Sequence, residues 1–312
     1  MNIAIYFKAL SDATRIRLIN SLLHHELSVN EIVTLMKMGQ SGISRHLKIL
    51  MDAELLKCRR DGVWAFYSVS DIDPARKFID SIRYLFQNSP IFIEDLKKAS
   101  KLIEDRKTRT IQFFDAVAAD WDLIKKEVLG NFNLNQAILK HIDPCKTAVD
   151  LGCGTGELIA DLKQKASKVI GVDSSAKMLD ETRKRFLSEN DPPDLRLGEL
   201  EHLPLSDRET ECAIVSMVLH HVSSPDAAIA EIYRTLQPGG TFIIAELDKH
   251  DNEIMRKSYG DRWLGFHRHE IENFLKKNNF VLKAFQPYTL GQMLNLNIFK
   301  SKKISKPKKK EK

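Results

Sequence analysis

The stretch VDLGCGTGELI, residues 149–159, decides how the larger part of this chain folds. Thr147 to Leu151 is a short apolar run with strand character, and ELIADL (157–162) restores an apolar spacing of about four residues, the period of a helix. Gly152, Gly154 and Gly156 therefore occupy a strand-to-helix turn, where they let the backbone approach a ligand and take φ values that other residues resist. A dinucleotide fingerprint reads GxGxxG, but Glu157 stands at the place of its last glycine, which argues against a pyrophosphate cofactor. The next strand-like run, KVIGVD, ends in Asp173, 21 positions after Gly152, where a carboxylate can accept hydrogen bonds from two ribose hydroxyls. The expected ligand has a ribose and no pyrophosphate.

Working outward, 312 residues suggest about two domains, and 43% hydrophobic with 29% charged residues is ordinary for a globular protein with a sizeable core. No apolar segment approaches the roughly 20 residues of a membrane span, and MNIAIYFKALSDATR lacks the plan of a signal peptide, so a cytoplasmic protein without membrane insertion is expected. Cysteines 58, 145, 153 and 212 contain no CxxC pair, and the histidines at 267 and 269 have no third ligand nearby. Neither a disulfide framework nor a metal site is read from them. The net charge of +6 is local: residues 300–312, KSKKISKPKKKEK, hold eight lysines and one glutamate, leaving 40 basic and 41 acidic groups elsewhere. That block reads as a disordered, solvated tail able to attract polyanions.

With these residues in view, the chain from about Phe113 to Phe299 resembles the class I S-adenosylmethionine (SAM) dependent methyltransferases. The matching motifs are the acid-GxGxG loop, DSSAKML (173–179), GELEHLP (198–204), ECAIVSMVLHHV (211–222) and LQPGGTFIIAE (236–246). The resemblance implies a Rossmann-like α/β domain with a seven-stranded sheet, and a SAM site lined by Asp150, Gly152, Gly154, Gly156, Asp173, Ser174, Met178, Glu199, Leu200 and Ser216. In that family Asp173 holds the ribose, Met178 lies against the adenine, and Glu199 replaces a usual aspartate. Cys212 stands where the family carries an acid. No amino-methylating PPY-type motif follows the fourth strand, and the cysteines needed for arsenite methylation are lacking, so the remaining matches point to ubiquinone/menaquinone-type and other small-molecule methyltransferases. SAM brings its own electrophile, so the protein must hold the acceptor in line, exclude water and, for some acceptors, supply a base. His220 and His221, following the fourth strand at the carboxyl edge of the sheet, are the candidates for base or acceptor contact. One of them packing or capping a helix is the competing reading.

The first hundred residues are a different object. Asp12 can N-cap a helix with Ile16, Ile19 and Leu23 on one face, and Ser28 with Glu31 makes a capping box. After Gly39, QSGISRHLKIL (40–50) has Ile43, Leu47 and Leu50 on one face, leaving Gln40, Ser41, Ser44, Arg45, His46 and Lys48 largely on the others. LLKCRRDGVWAFYSV (55–69) follows as two β-type runs meeting at Asp61-Gly62, which suits a type I′ turn. FKALSDATRIRLI (7–19), the 40–50 helix and RRDGVWAFYSV (59–69), in that order, resemble the ArsR/SmtB family of winged-helix repressors. The resemblance implies a homodimer on operator DNA, one motif helix in the major groove, and Arg59 and Arg60 on wings along the phosphates. Where arsenic-sensing members carry ELCVCDL, this chain has ELSVNEI (26–32), so thiolate metal sensing is not expected.

The expected organisation is a winged helix-turn-helix domain (1–73), a helical dimerisation and linker segment (74–112), a methyltransferase domain (113–299) and a lysine-rich tail (300–312). In the linker, Phe78, Ile82 and Leu85 form one apolar stripe and Ile93, Leu96 and Ile103 another, broken near Asn88-Ser89-Pro90. FFDAVAADWD (113–122) resembles the segment that folds over the SAM pocket in many small-molecule methyltransferases. The expected activity is methylation of a small molecule by an ArsR-like regulator. The alternatives are a non-catalytic sensor of SAM or S-adenosylhomocysteine, to which Cys212 lends weight, and an enzyme whose winged helix only dimerises.

Overall fold

The structure, a computed structural model, describes residues 3–86, 89–290 and 294–304. It divides into two compact units, Met1–Lys107 and Thr108–Lys312. The unit boundary falls five residues before the domain start at 113 expected from sequence, inside a helix.

In the first unit α1 (Ala4–Ala9), α2 (Ala13–His24), β1 (Leu27–Ser28), α3 (Val29–Met36), α4 (Gln40–Asp52), β2 (Leu56–Asp61), β3 (Trp64–Val69), α5 (Ala75–Ile82) and α6 (Pro90–Val117) follow in order. The Asp12 side chain accepts from Arg15 N at 3.1 Å, and the Ser28–Glu31 capping box opens α3 as expected. Lys37 takes the left-handed conformation at the end of α3, which together with the extended Gly39 makes the tight turn into α4. Ile43, Leu47 and Leu50 are buried on α4. On α2 the buried face is rotated from the expected one: Leu18, Ile19 and Leu22 are inside, while Ile16 and Leu23 are at its margin. Two readings of the wing shift as well. The strands pair Asp61 with Trp64, so the two-residue loop is Gly62-Val63 rather than Asp61-Gly62. Of these two, Gly62 alone has positive φ (57°), the demand of a II′ turn at its first central position and not of I′.

The expected linker contributes to this unit's core through Ala75, Ile79, Phe86 and Ala99, with Leu85 and Ile93 of the predicted stripes exposed. Two ion pairs join α6 to the helix-turn-helix. Asp95, buried, accepts a bidentate pair from Arg17 at 2.7 and 2.8 Å, and Arg106 pairs with Glu31, the capping residue of α3. Asn88 of the predicted break lies outside the described residues.

In the second unit α7 (Trp121–Leu129) and α8 (Leu134–Leu139) precede β4 (Cys145–Leu151), α9 (Glu157–Leu162), β5 (Ala166–Asp173), α10 (Ala176–Arg185), β6 (Asp194–Leu197), β7 (Thr210–Ser216), α11 (Pro225–Thr235), β8 (Leu236–Leu247), α12 (Ile254–Tyr259), α13 (Arg268–Lys277), β9 (Phe280–Thr289) and β10 (Asn295–Lys303). The seven-stranded sheet has the order β6-β5-β4-β7-β8-β10-β9; the pairs from β6 to β8 are parallel and β10 runs antiparallel to both neighbours. The chain leaves β4 toward β5 on one side and later returns to β7 on the other, so the order reverses at β4. That reversal opens a crevice at the carboxyl ends of β4, β5 and β7, the place where ligands of open α/β sheets bind. His267 is the N-cap residue of α13.

One boundary is corrected. Lys300, Ser301, Lys302 and Lys303 belong to β10, not to a tail. A lysine run can end a strand when its charges are met: Lys300 pairs with Asp143 at 2.9 Å, and Lys303, 8% exposed, donates to the Leu236 carbonyl at 2.7 Å. Residues 305–312 lie outside the described residues.

Candidate functional site

At the carboxyl end of β4 the three glycines have φ of 75°, 55° and 79°, the left-handed region that favours glycine. Two of them are also sterically required. A Cβ on Gly152 would lie 2.5 Å from Val218 Cγ2, and one on Gly156 2.6 Å from Thr182 Cγ2. The loop is held by Asp173 from the end of β5, whose two oxygens accept from Gly154 N (2.9 Å) and Ser175 N (2.8 Å). Ser175 caps α10 through Met178 N, so Met178 is buried beside the same turn. Gly198 N donates to the Asp173 carbonyl at 2.9 Å, which brings Glu199 and Leu200 to this edge, and Ser216 ends β7 across β4. The SAM-site candidates Asp150, Gly152, Gly154, Gly156, Asp173, Ser174, Met178, Glu199, Leu200 and Ser216 thus share one end of the sheet.

Burial pushes the Asp150 carboxyl up to about 7, with Lys125 opposing and the like charge of Asp173 adding to the shift. Burial likewise raises Asp173, against the amides that bond it. Two buried acids beside the glycine loop suit a cationic ligand, which would favour their charged forms. A sulfonium with an α-amino group is such a ligand.

The segment 113–125 closes over this edge, as the resemblance implied. The Trp121 indole nitrogen lies 3.4 Å from where a Gly154 Cβ would be, Asp115 accepts from Ser175 Oγ at 2.6 Å, and Lys125 pairs with Glu157 at 2.8 Å. Asp122 accepts from Thr155 Oγ1 at 2.5 Å and from Arg185 at 2.6 Å. Phe114 stands edge-on to Trp121 on one side and to His221 on the other, with ring centroids 5.2 and 4.8 Å apart. One aromatic ring therefore separates the cover of the glycine loop from the histidine pair.

His220 and His221 occupy a short 3-10 turn after β7, their rings 4.1 Å apart. His220 Nδ1 lies 2.6 Å from Glu246 Oε1, whose carboxylate also accepts from His220 N and Leu247 N. His220 Nε2 is 3.6 Å from Asp261 Oδ1, and His221 Nδ1 is 3.2 Å from the Gly260 carbonyl and 3.9 Å from the same Asp261 oxygen. Burial lowers both imidazoles, but the Glu246 and Asp261 carboxylates outweigh it at His220 and push it up to about 9, whereas the neighbouring His220 drives His221 lower still. Glu246 was legible only as part of LQPGGTFIIAE, and nothing in YGDRWLGF marks Asp261 as a partner of histidines 40 residues earlier.

Cys212 is remote from all of this. It is buried near the start of β7, level with Ala148, and lines a cavity of about 270 Å³ with Asp143, Cys145, Pro238 and Lys302. Four residues of strand, about 13 Å, separate it from Ser216.

In the first unit Gln40, Ser41, Ser44, Arg45 and Lys48 are exposed on α4. Two sequence candidates are engaged internally instead. His46 is half-buried, 3.7 Å from Asp12. Arg59 is half-buried with its guanidinium 4.5 Å over Phe66, bonded to Glu26 at 2.8 and 3.2 Å and 3.3 Å from Asp61. These contacts hold Arg59 on the packed side of the wing, so of the two arginines Arg60 is the exposed one.

Residues 149–244 match the model of the Methyltransferase domain, and residues 12–57 that of the Bacterial regulatory protein, arsR family. A demethylmenaquinone methyltransferase of Symbiobacterium thermophilum is 30% identical over 172 residues, 52% of this chain and 68% of that protein. The chain belongs to the SAM-dependent methyltransferases, joined to an ArsR-type DNA-binding domain. A 37.1 kDa protein of a Streptomyces fradiae transposon is 41% identical over 109 residues, 34% of this methyltransferase and 31% of its relative. A ubiquinone/menaquinone biosynthesis C-methyltransferase of Methylococcus capsulatus is 29% identical over 47% of this chain and 62% of its own. Among solved structures the 4+2 cyclase SpnF aligns with a TM-score of 0.52 at 17% identity, over 62% of this chain and 95% of its own, a likeness of fold alone. SAM is the cofactor of the methyltransferase domain. Among the described residues no helix is long and apolar enough to cross a membrane.

Proposed function

We infer that the protein is an operator-binding homodimer whose second domain transfers the methyl group of SAM to a small molecule. The observation that carries the catalytic half is the covered glycine loop with a buried histidine-carboxylate group one aromatic ring beyond it. SAM, when bound, supplies the methyl electrophile. The chain's part is to hold the ribose on Asp173, to exclude water with Trp121 and Phe114, and to fix the acceptor against His221. Cys212 lies at the far end of the sheet from the glycine loop, which supports the catalytic reading over the non-catalytic sensor.

The regulatory half rests on the exposed polar face of α4 and on Arg60. The exposed apolar side chains Ile3, Ile5, Phe7, Tyr84, Leu85, Ile91 and Ile93 of the same unit support a dimer. The test is transfer of label from methyl-labelled SAM to a panel of acceptors, with demethylmenaquinone-like quinones first because relatives are named for demethylmenaquinone and for ubiquinone/menaquinone biosynthesis. Label must appear in an extractable product and vanish in Asp173→Ala; SAM binding without transfer to any acceptor class would return the sensor reading.

A further inference from the structure

The histidine pair has a property that methyl transfer does not require. His220 Nε2, His221 Nδ1 and Asp261 Oδ1 converge, all within 4.8 Å of one another, in a pocket where the three side chains are 3%, 8% and 1% exposed. An ion bonded at about 2.1 Å by donors at tetrahedral angles sets those donors about 3.4 Å apart. The two distances to Asp261 are 3.6 and 3.9 Å, within a few tenths of an ångström of that spacing, while the two ring nitrogens lie within 4.8 Å of each other and close on the ion by turning the imidazoles.

The outer contacts fit at His220, whereas His221 must exchange the 3.2 Å bond of its Nδ1 to the Gly260 carbonyl for the ion. Glu246 Oε1 lies 2.6 Å from His220 Nδ1, and its carboxylate is fixed in turn by the amides of His220 and Leu247. A carboxylate bonded to one ring nitrogen of a histidine directs the other nitrogen's lone pair outward, the arrangement that orients metal-ligating imidazoles. Here that other nitrogen is Nε2, which faces Asp261.

Two imidazoles and one carboxylate suit a first-row divalent transition ion; Mg²⁺ and Ca²⁺ prefer all-oxygen sets. Three protein donors leave a coordination position open. We propose that His220, His221 and Asp261 bind one first-row divalent transition-metal ion, with Glu246 positioning His220. The open position would take an oxygen of the acceptor, but binding of the ion does not depend on which acceptor is methylated.

The experiment uses untagged full-length protein carrying Cys145→Ala and Cys212→Ala, so that this neighbouring pair of thiols cannot bind metal, stripped with chelator and titrated with Co²⁺. A visible d–d band saturating at one equivalent per chain and displaced by Zn²⁺ is expected. Asp261→Asn and His221→Ala should each weaken Co²⁺ binding at least tenfold, and Glu246→Gln by about 10- to 100-fold, with native melting curves. Should Asp261→Asn fail to fold, His221→Ala decides. The absence of a saturable band, or equal affinity in the folded ligand variants, overturns the proposal.

Discussion

Replacing Asp173 by alanine removes two kinds of bond at once, and the structure separates them. Toward the ligand, the change deletes the carboxylate that would accept from the ribose hydroxyls. Hydrogen bonds to a charged acceptor contribute roughly 1.5–3 kcal/mol, so the Kd for SAM should rise about 10- to 150-fold. Toward the protein, Gly154 N and Ser175 N lose their acceptors at 2.9 and 2.8 Å. Unpaired buried amides are costly, and the cost is offset in part because burial already disfavours the charged carboxyl. A net loss of about 1–3 kcal/mol should lower the melting temperature by roughly 2–12 °C. Asp173→Asn keeps one oxygen for one amide and should fall between wild type and alanine in both readouts. Calorimetry with SAM and with S-adenosylhomocysteine, which share the ribose, should show equal losses. A Kd within twofold of wild type in a variant with a native melt would refute the placement of the ribose.

Other outcomes follow from single contacts. Gly152→Ala must displace Val218 and hold alanine at φ 75°, so it should lower stability by at least about 1–3 kcal/mol and abolish SAM binding, checked by melting and calorimetry. Because the Asp150 carboxyl is pushed up to about 7, it ionises only above that pH in the free protein, and a cationic ligand prefers it ionised. SAM affinity should therefore fall as pH drops through 7, toward tenfold per unit, with proton release on binding, and Asp150→Asn should flatten the profile. On DNA, Arg45→Ala should cost affinity and sequence preference, and Arg60→Ala should weaken all sequences alike and reduce the salt slope by about one. Arg59→Ala should instead lower the stability of the first unit, since it leaves Glu26 and Asp61 without its guanidinium.

Those features of the fold set by local chemistry were readable in advance. The strand, glycine turn and helix at 147–162, the Ser28–Glu31 box and the α4 core face each depend on neighbours a few residues away. Features that depend on long-range meeting were not. Arg59 and Arg60 are equivalent as letters, and only pairing of β2 with β3 and the position of Glu26 decide which one faces solvent. Lys300 to Lys303 look like a solvated tail until Asp143 and the carbonyls near Leu236 are found to receive them. Asp261 joins the histidines only because a loop after α12 returns to the end of β7.

An operator-binding unit and a SAM-binding unit are joined on one chain in this account, and the coupling we propose between them is tested most directly on operator DNA. ELSVNEI has no thiolates for a metal effector, and α6, which carries Asp95 and Arg106 against the helix-turn-helix, also carries Asp115 against Ser175 beside the glycine loop. Labelled DNA from upstream of the protein's own coding sequence is titrated with full-length protein, alone and with saturating SAM, S-adenosylhomocysteine or methyl acceptor. At least one ligand should shift the operator Kd by about fivefold or more, with no shift in Asp173→Ala. Curves that superimpose under all conditions would contradict the account and leave two independent activities on one chain.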